Sequence, residues 1–167
     1  MSSRDAIVAE IPRLRRYARA LTGRADTADD LVQDTLERAL EKWRIWQRDR
    51  DLRPWLFSIM HNLHVDTRRR EGRIEYCDDA TLPELLQRAD QEDSLELRDL
   101  DRALALLPVE QREVLLLVGL EELPYADVAR ALNVPQGTVM SRLSRARSRL
   151  KAILAGEAVP QLKVVKS

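Results

Sequence analysis

Glycine, cysteine and aromatic residues are scarce in this chain, and each scarcity removes a class of answer. Five glycines, one phenylalanine and 4% aromatic content in 167 residues leave too little β-forming and turn material for a sandwich or barrel. Cys77 stands alone, so no internal disulfide is possible and nothing points to an oxidising compartment. No apolar run approaches the roughly 20 residues of a membrane span. The N-terminal stretch MSSRDAIVAEIPRLRRY carries charges throughout instead of the apolar centre of a signal peptide. The expectation is a cytoplasmic protein without membrane insertion. No nucleophile stands beside a base, and there is no Gly-rich phosphate loop and no convincing carboxylate pair. His61 and His64 lie three apart, but zinc needs three or four ligands and only Cys77 remains to help. The chain is therefore not expected to be an enzyme or to need a metal or cofactor.

What is present is helix-forming and strongly patterned in charge. With 44% apolar and 34% charged residues, the composition is that of a globular all-α protein. The formal net charge is zero, yet the charges are sorted into blocks. Arg68 to Arg73 hold four arginines against Glu71, while Glu75 to Asp101 hold ten acids against Arg88 and Arg98. Two basic binding surfaces with an acidic connector would produce this pattern.

The most informative stretch is LPYADVARALNVPQGTVMSRLSRARSRLK, Leu123 to Lys151. Pro124 suits the start of a helix, and Val128, Ala129 and Leu132 share one face. Asn133 follows where a left-handed cap is needed, and Asn tolerates that conformation best after Gly. Pro135 then opens a second helix whose Val139, Leu143, Ala146 and Leu150 form a buried stripe. Around the stripe lie Gln136, Thr138, Ser141, Arg142, Ser144, Arg145, Ser148, Arg149 and Lys151. From Gln136 to Lys151 there are five basic residues, counting Arg147, and no acid. Charge runs are usually solvated faces, but solvated helices mix signs for i,i+4 pairing and this one does not. The pattern is that of a helix-turn-helix whose second helix enters a major groove.

The first half reads as three helices. Ile7, Ile11, Leu14, Ala18 and Leu21 form a stripe that Gly23 ends, with Pro12 expected near the helix start. Arg13, Arg15, Arg16 and Arg19 are expected to face solvent or acidic neighbours. Thr27 with Asp30 resembles a capping box, after which Leu31, Val32, Thr35, Leu36, Ala39, Leu40 and Trp43 form the buried side of a second helix. Its outer side, with Asp29, Gln33, Asp34, Glu37, Arg38 and Glu41, reads on base rates as solvated. Trp43 to Arg53 loses periodicity. Trp46 lies there among arginines, where it can stack on an unpaired base, although a core position is commoner for tryptophan. A third helix from Pro54 carries Asn62, Asp66, Arg69 and Arg70 on one exposed side, a set suited to base edges and phosphates.

Domain boundaries follow from composition. Residues 1–72 form one helical domain, 73–93 an acidic linker with a brief helical turn at Leu82 to Gln87, 94–154 a second helical domain and 155–167 a tail. The second domain adds a helix from a Ser94 cap through Leu107 and another after Pro108. Each half is just large enough for its own core, since domains this small bury only about 60% of their unfolded surface. A partner covering exposed apolar surface would help both.

Taken in order, these motifs resemble the bacterial extracytoplasmic-function (ECF) sigma factors of RNA polymerase, of the sigma-70 family, over about Ile7 to Ile153. ADDLVQDTLERAL (Ala28 to Leu40) resembles the helix that docks on the β′ clamp, which implies polymerase contacts for Asp30, Gln33 and Asp34. RPWLFSIMHNLHVDTRRR (Arg53 to Arg70) resembles the helix that reads the −10 element, implying roles for Asn62, Asp66, Arg69 and Arg70. The loop around Trp46 to Leu52 resembles one that captures a flipped base. LPVEQREVLLLVGLEELPYADVARALNVPQGTVMSRLSRARSRL resembles the domain that reads the −35 element, implying contacts from Gln136, Thr138, Ser141, Arg142, Arg145 and Arg149. The resemblance further implies contact with the polymerase β flap and control by an anti-sigma factor. The sequence departs from many relatives at Asn133, where they carry Gly, at Met140, where they carry Lys or Arg, and at Ser144, where an aromatic is common. The last two imply an altered promoter preference. Two other readings stay open from the residues: a stand-alone helix-turn-helix regulator with a dimerisation or sensing domain, and a polymerase-binding protein without promoter selectivity.

Overall fold

A computed structural model describes residues 2–46, 51–71 and 95–156. Seven α-helices and no strands occur among these residues. In chain order they are α1 (Ser3–Thr22), α2 (Ala25–Glu41), α3 (Leu52–Arg70), α4 (Leu95–Leu106), α5 (Val109–Gly119), α6 (Tyr125–Leu132) and α7 (Gln136–Leu154). Within the first half, α1 packs on α2 and α2 on α3; within the second, α5 and α6 both pack on α7. The all-α class expected from composition is the observed one. The acidic segment with Leu82 to Gln87, and the Ser94 cap, lie outside the described residues.

Several boundaries differ from expectation for identifiable reasons. Helix α1 begins at Ser3 because Ser2 and Asp5 form a reciprocal capping box, with both bonds at 3.2 Å. Pro12 therefore sits well inside the helix and not near its start. Its missing N–H leaves the Val8 carbonyl without an intrahelical donor, and both residues face solvent, so water can supply the bond. Helix α2 starts at Ala25, two residues before Thr27, so the Thr27–Asp30 capping box does not form. The Thr22 hydroxyl instead donates to the Ala18 carbonyl at 2.8 Å and accepts from the Arg24 N–H at 3.4 Å, and Gly23 adopts φ 71°, which fixes the corner earlier. Helix α3 likewise begins at Leu52, with Pro54 in its first turn. Leu40, expected in the buried stripe, is 48% exposed, because it stands about 100° around α2 from buried Ala39 and off the line of Leu31, Val32 and Thr35.

Asn133 adopts φ 55° and ψ 50°, the left-handed cap read from the sequence. The Val134 N–H returns to the Ala129 carbonyl at 3.0 Å and closes the turn. An alanine there would meet the left-handed penalty without a compensating side chain, at roughly 1 kcal/mol, whereas glycine avoids it. Thermal melts should accordingly rank Asn133→Gly at or above the wild type and Asn133→Ala below both.

The halves do not keep separate cores. Buried residues of both belong to one apolar cluster, from Leu14, Leu21, Phe57 and Met60 to Leu107, Leu117, Val128 and Val139. Helix α3 packs on α6, and α1 packs on α4 and α5. Whether the chain is closed or extended cannot be read from periodicity, which reports one helix at a time. Here each half covers apolar surface that a domain of its size would leave exposed.

Candidate nucleic-acid interface

Helix α7 is positioned by its buried stripe of Val139, Leu143 and Ala146, which packs on α5 and α6. That orientation turns Gln136, Met140, Ser141, Ser144, Arg145, Arg147, Ser148 and Lys151 to solvent, while Thr138, Arg142 and Arg149 are partly covered. At 100° per residue, Gly137, Ser141, Ser144 and Ser148 run down the face opposite the stripe. Arg142, Arg145 and Arg149 flank it on one side and Arg147 and Lys151 on the other. A row of small residues between two cationic ridges lets a duplex approach closely while the ridges meet phosphates. The Ser141 hydroxyl donates to the Thr138 carbonyl at 3.1 Å, so its lone pairs remain to accept from a base amino group. A Cβ added at Gly137 would meet nothing within 4 Å, so the fold itself does not require glycine there. Arg147 was counted among the basic residues of this helix but not among its expected contacts; its exposure beside the stripe adds it to the candidates.

On α3, Asn62, Asp66, Arg69 and Arg70 are all exposed and share one arc, as their spacing requires. Leu56, Phe57 and Met60 are buried on the other side of the helix, and Ile59, which lies in line with the arc one to two turns earlier, is buried as well. On α2, Asp30, Gln33 and Asp34 lie together on the solvent side, away from buried Ala28, Leu31, Val32 and Thr35. The Thr35 hydroxyl satisfies itself on the Leu31 carbonyl at 2.7 Å, which allows its burial in an otherwise apolar stripe.

Trp46 is half-buried. Its ring lies 4.9 Å from Trp43 and 5.6 Å from Trp55, completing a three-indole cluster at the start of α3. The periodicity break at Trp43 concealed this cluster, since Trp55 joins it from the next helix. Ile45, beside it, is 78% exposed.

Where the halves meet, carboxylates are buried against cations. Glu121, whose side chain is fully buried, accepts from Arg16 at 3.2 and 3.3 Å and lies 3.5 Å from Arg13. Glu113 of α5 pairs with His61 of α3. Arg112 donates to the Leu104, Ala105 and Leu107 carbonyls at 2.7, 3.1 and 2.8 Å, and to Leu21 of α1 at 2.6 Å. Tyr17 is buried among these groups and edge-on to Phe57 at 4.9 Å. Burial raises its phenol well above the usual range, and the Glu113 and Glu121 carboxylates add to this. Sequence reading placed Arg13 and Arg16 against solvent or acids but missed Glu113 and Glu121. An acid within the apolar run of α5 was the only signal.

His64, in the same region, has a buried Nδ1 without a hydrogen-bond partner. Burial first, then Arg68, Arg112 and His61, lower its pKa from 6.5 to about 4. The unfolded chain therefore takes up a proton as pH falls through 6.5 while the folded chain resists until about 4. Stability is intact above 6.5, declines through that window by ~1.4 kcal/mol per unit, and loses about 3 kcal/mol in all from this group. Urea titrations at pH 7.5, 5.5 and 4.5 should show the decline, and a His64→Leu variant should lack this part of it.

Comparisons with known proteins identify the family. Residues 7–61 match the family described as the Sigma2 domain of PhyR, and residues 97–150 match Sigma-70, region 4. The ECF RNA polymerase sigma factor EcfG of Rhodopseudomonas palustris is 43% identical over 154 residues, covering 92% of this chain and 85% of that protein. The solved sigma factor RpoE, in complex with the anti-sigma factor NepR from Bartonella quintana, superposes with a TM-score of 0.75 at 32% identity, covering 93% of this chain and 98% of that one. The PhyRSL–NepR complex from Sphingomonas sp. Fr1 gives 0.70 at 26% identity, covering 96% and 95%. With two family matches in order and a relative this similar along nearly its whole length, the chain belongs to the ECF sigma factors of RNA polymerase.

Proposed function

We propose that this chain is a dissociable promoter-selecting subunit, which binds core RNA polymerase, brings it to specific promoters and opens the strands, and performs no reaction of its own. The observation that carries this reading is the separation of three open faces on one chain. These are the acidic face of α2, the Asn62 arc of α3 and the acid-free basic face of α7. Asp30, Gln33 and Asp34 suit a docking site on the β′ clamp, and the second half, through α4 to α7, would meet the β flap. Helix α7, through Gln136, Thr138, Ser141, Arg142, Arg145 and Arg149, grips the −35 duplex in its major groove. Asn62, Asp66, Arg69 and Arg70, with the Trp46 cluster alongside, hold unstacked −10 bases. Strand opening is then driven by the stacking and hydrogen bonds that only the unpaired bases can make.

The two grips cannot work from the closed arrangement. Element centres about 25 base pairs apart are separated by roughly 80 Å of duplex at 3.4 Å per pair. A compact chain of this length has a radius of gyration of only about 15 Å. The halves must part at the α1–α5 and α3–α6 contacts when promoter and polymerase bind. The same contacts offer a control point: the solved RpoE and PhyRSL neighbours were both determined with NepR, and an anti-sigma factor that holds the halves together would keep this chain inactive in the cytoplasm. No helix among the described residues is long and apolar enough to cross a membrane.

Adding the purified protein to core polymerase tests the proposal. Promoter-specific initiation supports it; sequence-specific DNA binding that needs no polymerase would favour a stand-alone regulator.

A further inference from the structure

The contact between the halves is asymmetric in charge, and the asymmetry identifies what the first half binds once the contact is broken. On its side lie Arg13 and Arg16 of α1 and His61 of α3; facing them are Glu121 and Glu113. Arg53 is held by its own Glu10 at 3.0 Å, so Arg13 and Arg16 are the two arginines that meet the buried carboxylate. Arg112 is the opposing cation of the second half, and four backbone carbonyls occupy its guanidinium. Opening the chain leaves Arg13 and Arg16 without their anion. Both are already about half exposed, at 41% and 51%, while Glu121 is at 0%. The carboxylate is thus inserted into a cationic surface that continues outward beyond it.

A two-oxygen anion received by two guanidinium groups is also how arginine meets a phosphate. His61 lies on α3 about 100° around the helix from Asn62, so the uncovered surface adjoins the −10 face directly. We propose that Glu121 and Glu113 occupy, in the closed chain, the places of two DNA phosphates, and that in the open complex Arg13, Arg16 and His61 take up the promoter backbone between the −10 and −35 elements. The second half thereby competes with the promoter for the first. Closure and spacer binding therefore exclude each other at the same arginines. The inference rests on the sigma-factor reading above.

The test is the salt dependence of promoter binding by holoenzyme reconstituted with the full chain. If the two arginines meet phosphates, R13Q/R16Q lowers the slope of log K against log salt by about 1.8, so its deficit shrinks about 12-fold between 50 and 200 mM salt. E121Q, which removes the competing anion, tightens binding several-fold with the slope unchanged. Should E121Q fold poorly, R16Q alone must still lower the slope by about 0.9. Tighter binding by R13Q/R16Q, or an unaltered slope, overturns the proposal and makes the arginines a latch only. Loss of core-polymerase affinity with an unaltered promoter slope overturns it in favour of an acidic polymerase surface. If wild-type holoenzyme shows no promoter-specific binding, the function itself falls and this inference with it; a failure confined to the variants leaves the function standing.

Discussion

Replacing Arg112 with methionine is expected to destabilise the folded chain by about 3–5 kcal/mol. The last carbonyls of a helix have no intrahelical donors and need them from elsewhere. Leu104 and Ala105 lie in the final turn of α4, Leu107 just follows it, and Leu21 lies in the final turn of α1. Arg112 supplies all four from one planar guanidinium, with donor distances between 2.6 and 3.1 Å. It therefore closes two helix ends, one from each half, and places positive charge where both helix dipoles are negative. Methionine keeps the apolar stem and removes every donor. A single charged hydrogen bond contributes about 1.5–3 kcal/mol, and the partly buried carbonyls regain some water, so the four do not add in full. A melting temperature lowered by roughly 6–20 °C is expected. A drop of under about 2 °C would mean that water replaces the guanidinium at all four sites.

The second large effect is on DNA. Arg142→Ala with Arg145→Ala should weaken promoter binding by roughly 30- to 20,000-fold, at about 1–3 kcal/mol for each lost contact. Arg145 is exposed and Arg142 partly covered, side by side on one ridge of α7. Their removal takes two cations from a helix whose small central residues cannot substitute for them. If both meet phosphates, the salt slope should fall by about 1.8; if one reads a base, it should fall by about half that and discrimination should relax at one −35 position. Filter binding or fluorescence anisotropy of the holoenzyme at four salt concentrations separates these cases. An unchanged slope in both single variants would exclude phosphate contacts, and unchanged discrimination at every −35 position would exclude base reading as well.

What the sequence made legible was local. The turn at Asn133, the Val139–Leu143–Ala146 stripe and the shared arc of Asn62, Asp66, Arg69 and Arg70 each depend on residues within a few turns of one another, where helical geometry converts spacing into direction. The features that escaped depend on partners far along the chain. Glu121 meets Arg16 across 105 residues and Glu113 meets His61 across 52, so neither burial could be inferred from its neighbours. Leu40 failed in the opposite sense: it was counted in the stripe, yet it stands about 100° around the helix from buried Ala39. Pro12 marked a helix start by propensity, yet the Ser2–Asp5 cap lies further upstream and the exposed Val8 carbonyl tolerates the break. Trp46 could be counted as a stacking residue but not assigned its two indole neighbours, because one of them belongs to another helix.

The most direct test of the account is the distance between its halves. With Cys77 replaced by serine, cysteines at the exposed positions Arg4 and Ala155 allow a donor and acceptor pair to be placed at the outer ends of α1 and α7. The account predicts one narrow distance distribution for the free chain. It predicts a shift to a longer one, by roughly 30 Å or more, when core polymerase and promoter are both present, as elements roughly 80 Å apart demand. The same distance in free chain and in the initiation-competent complex would contradict it.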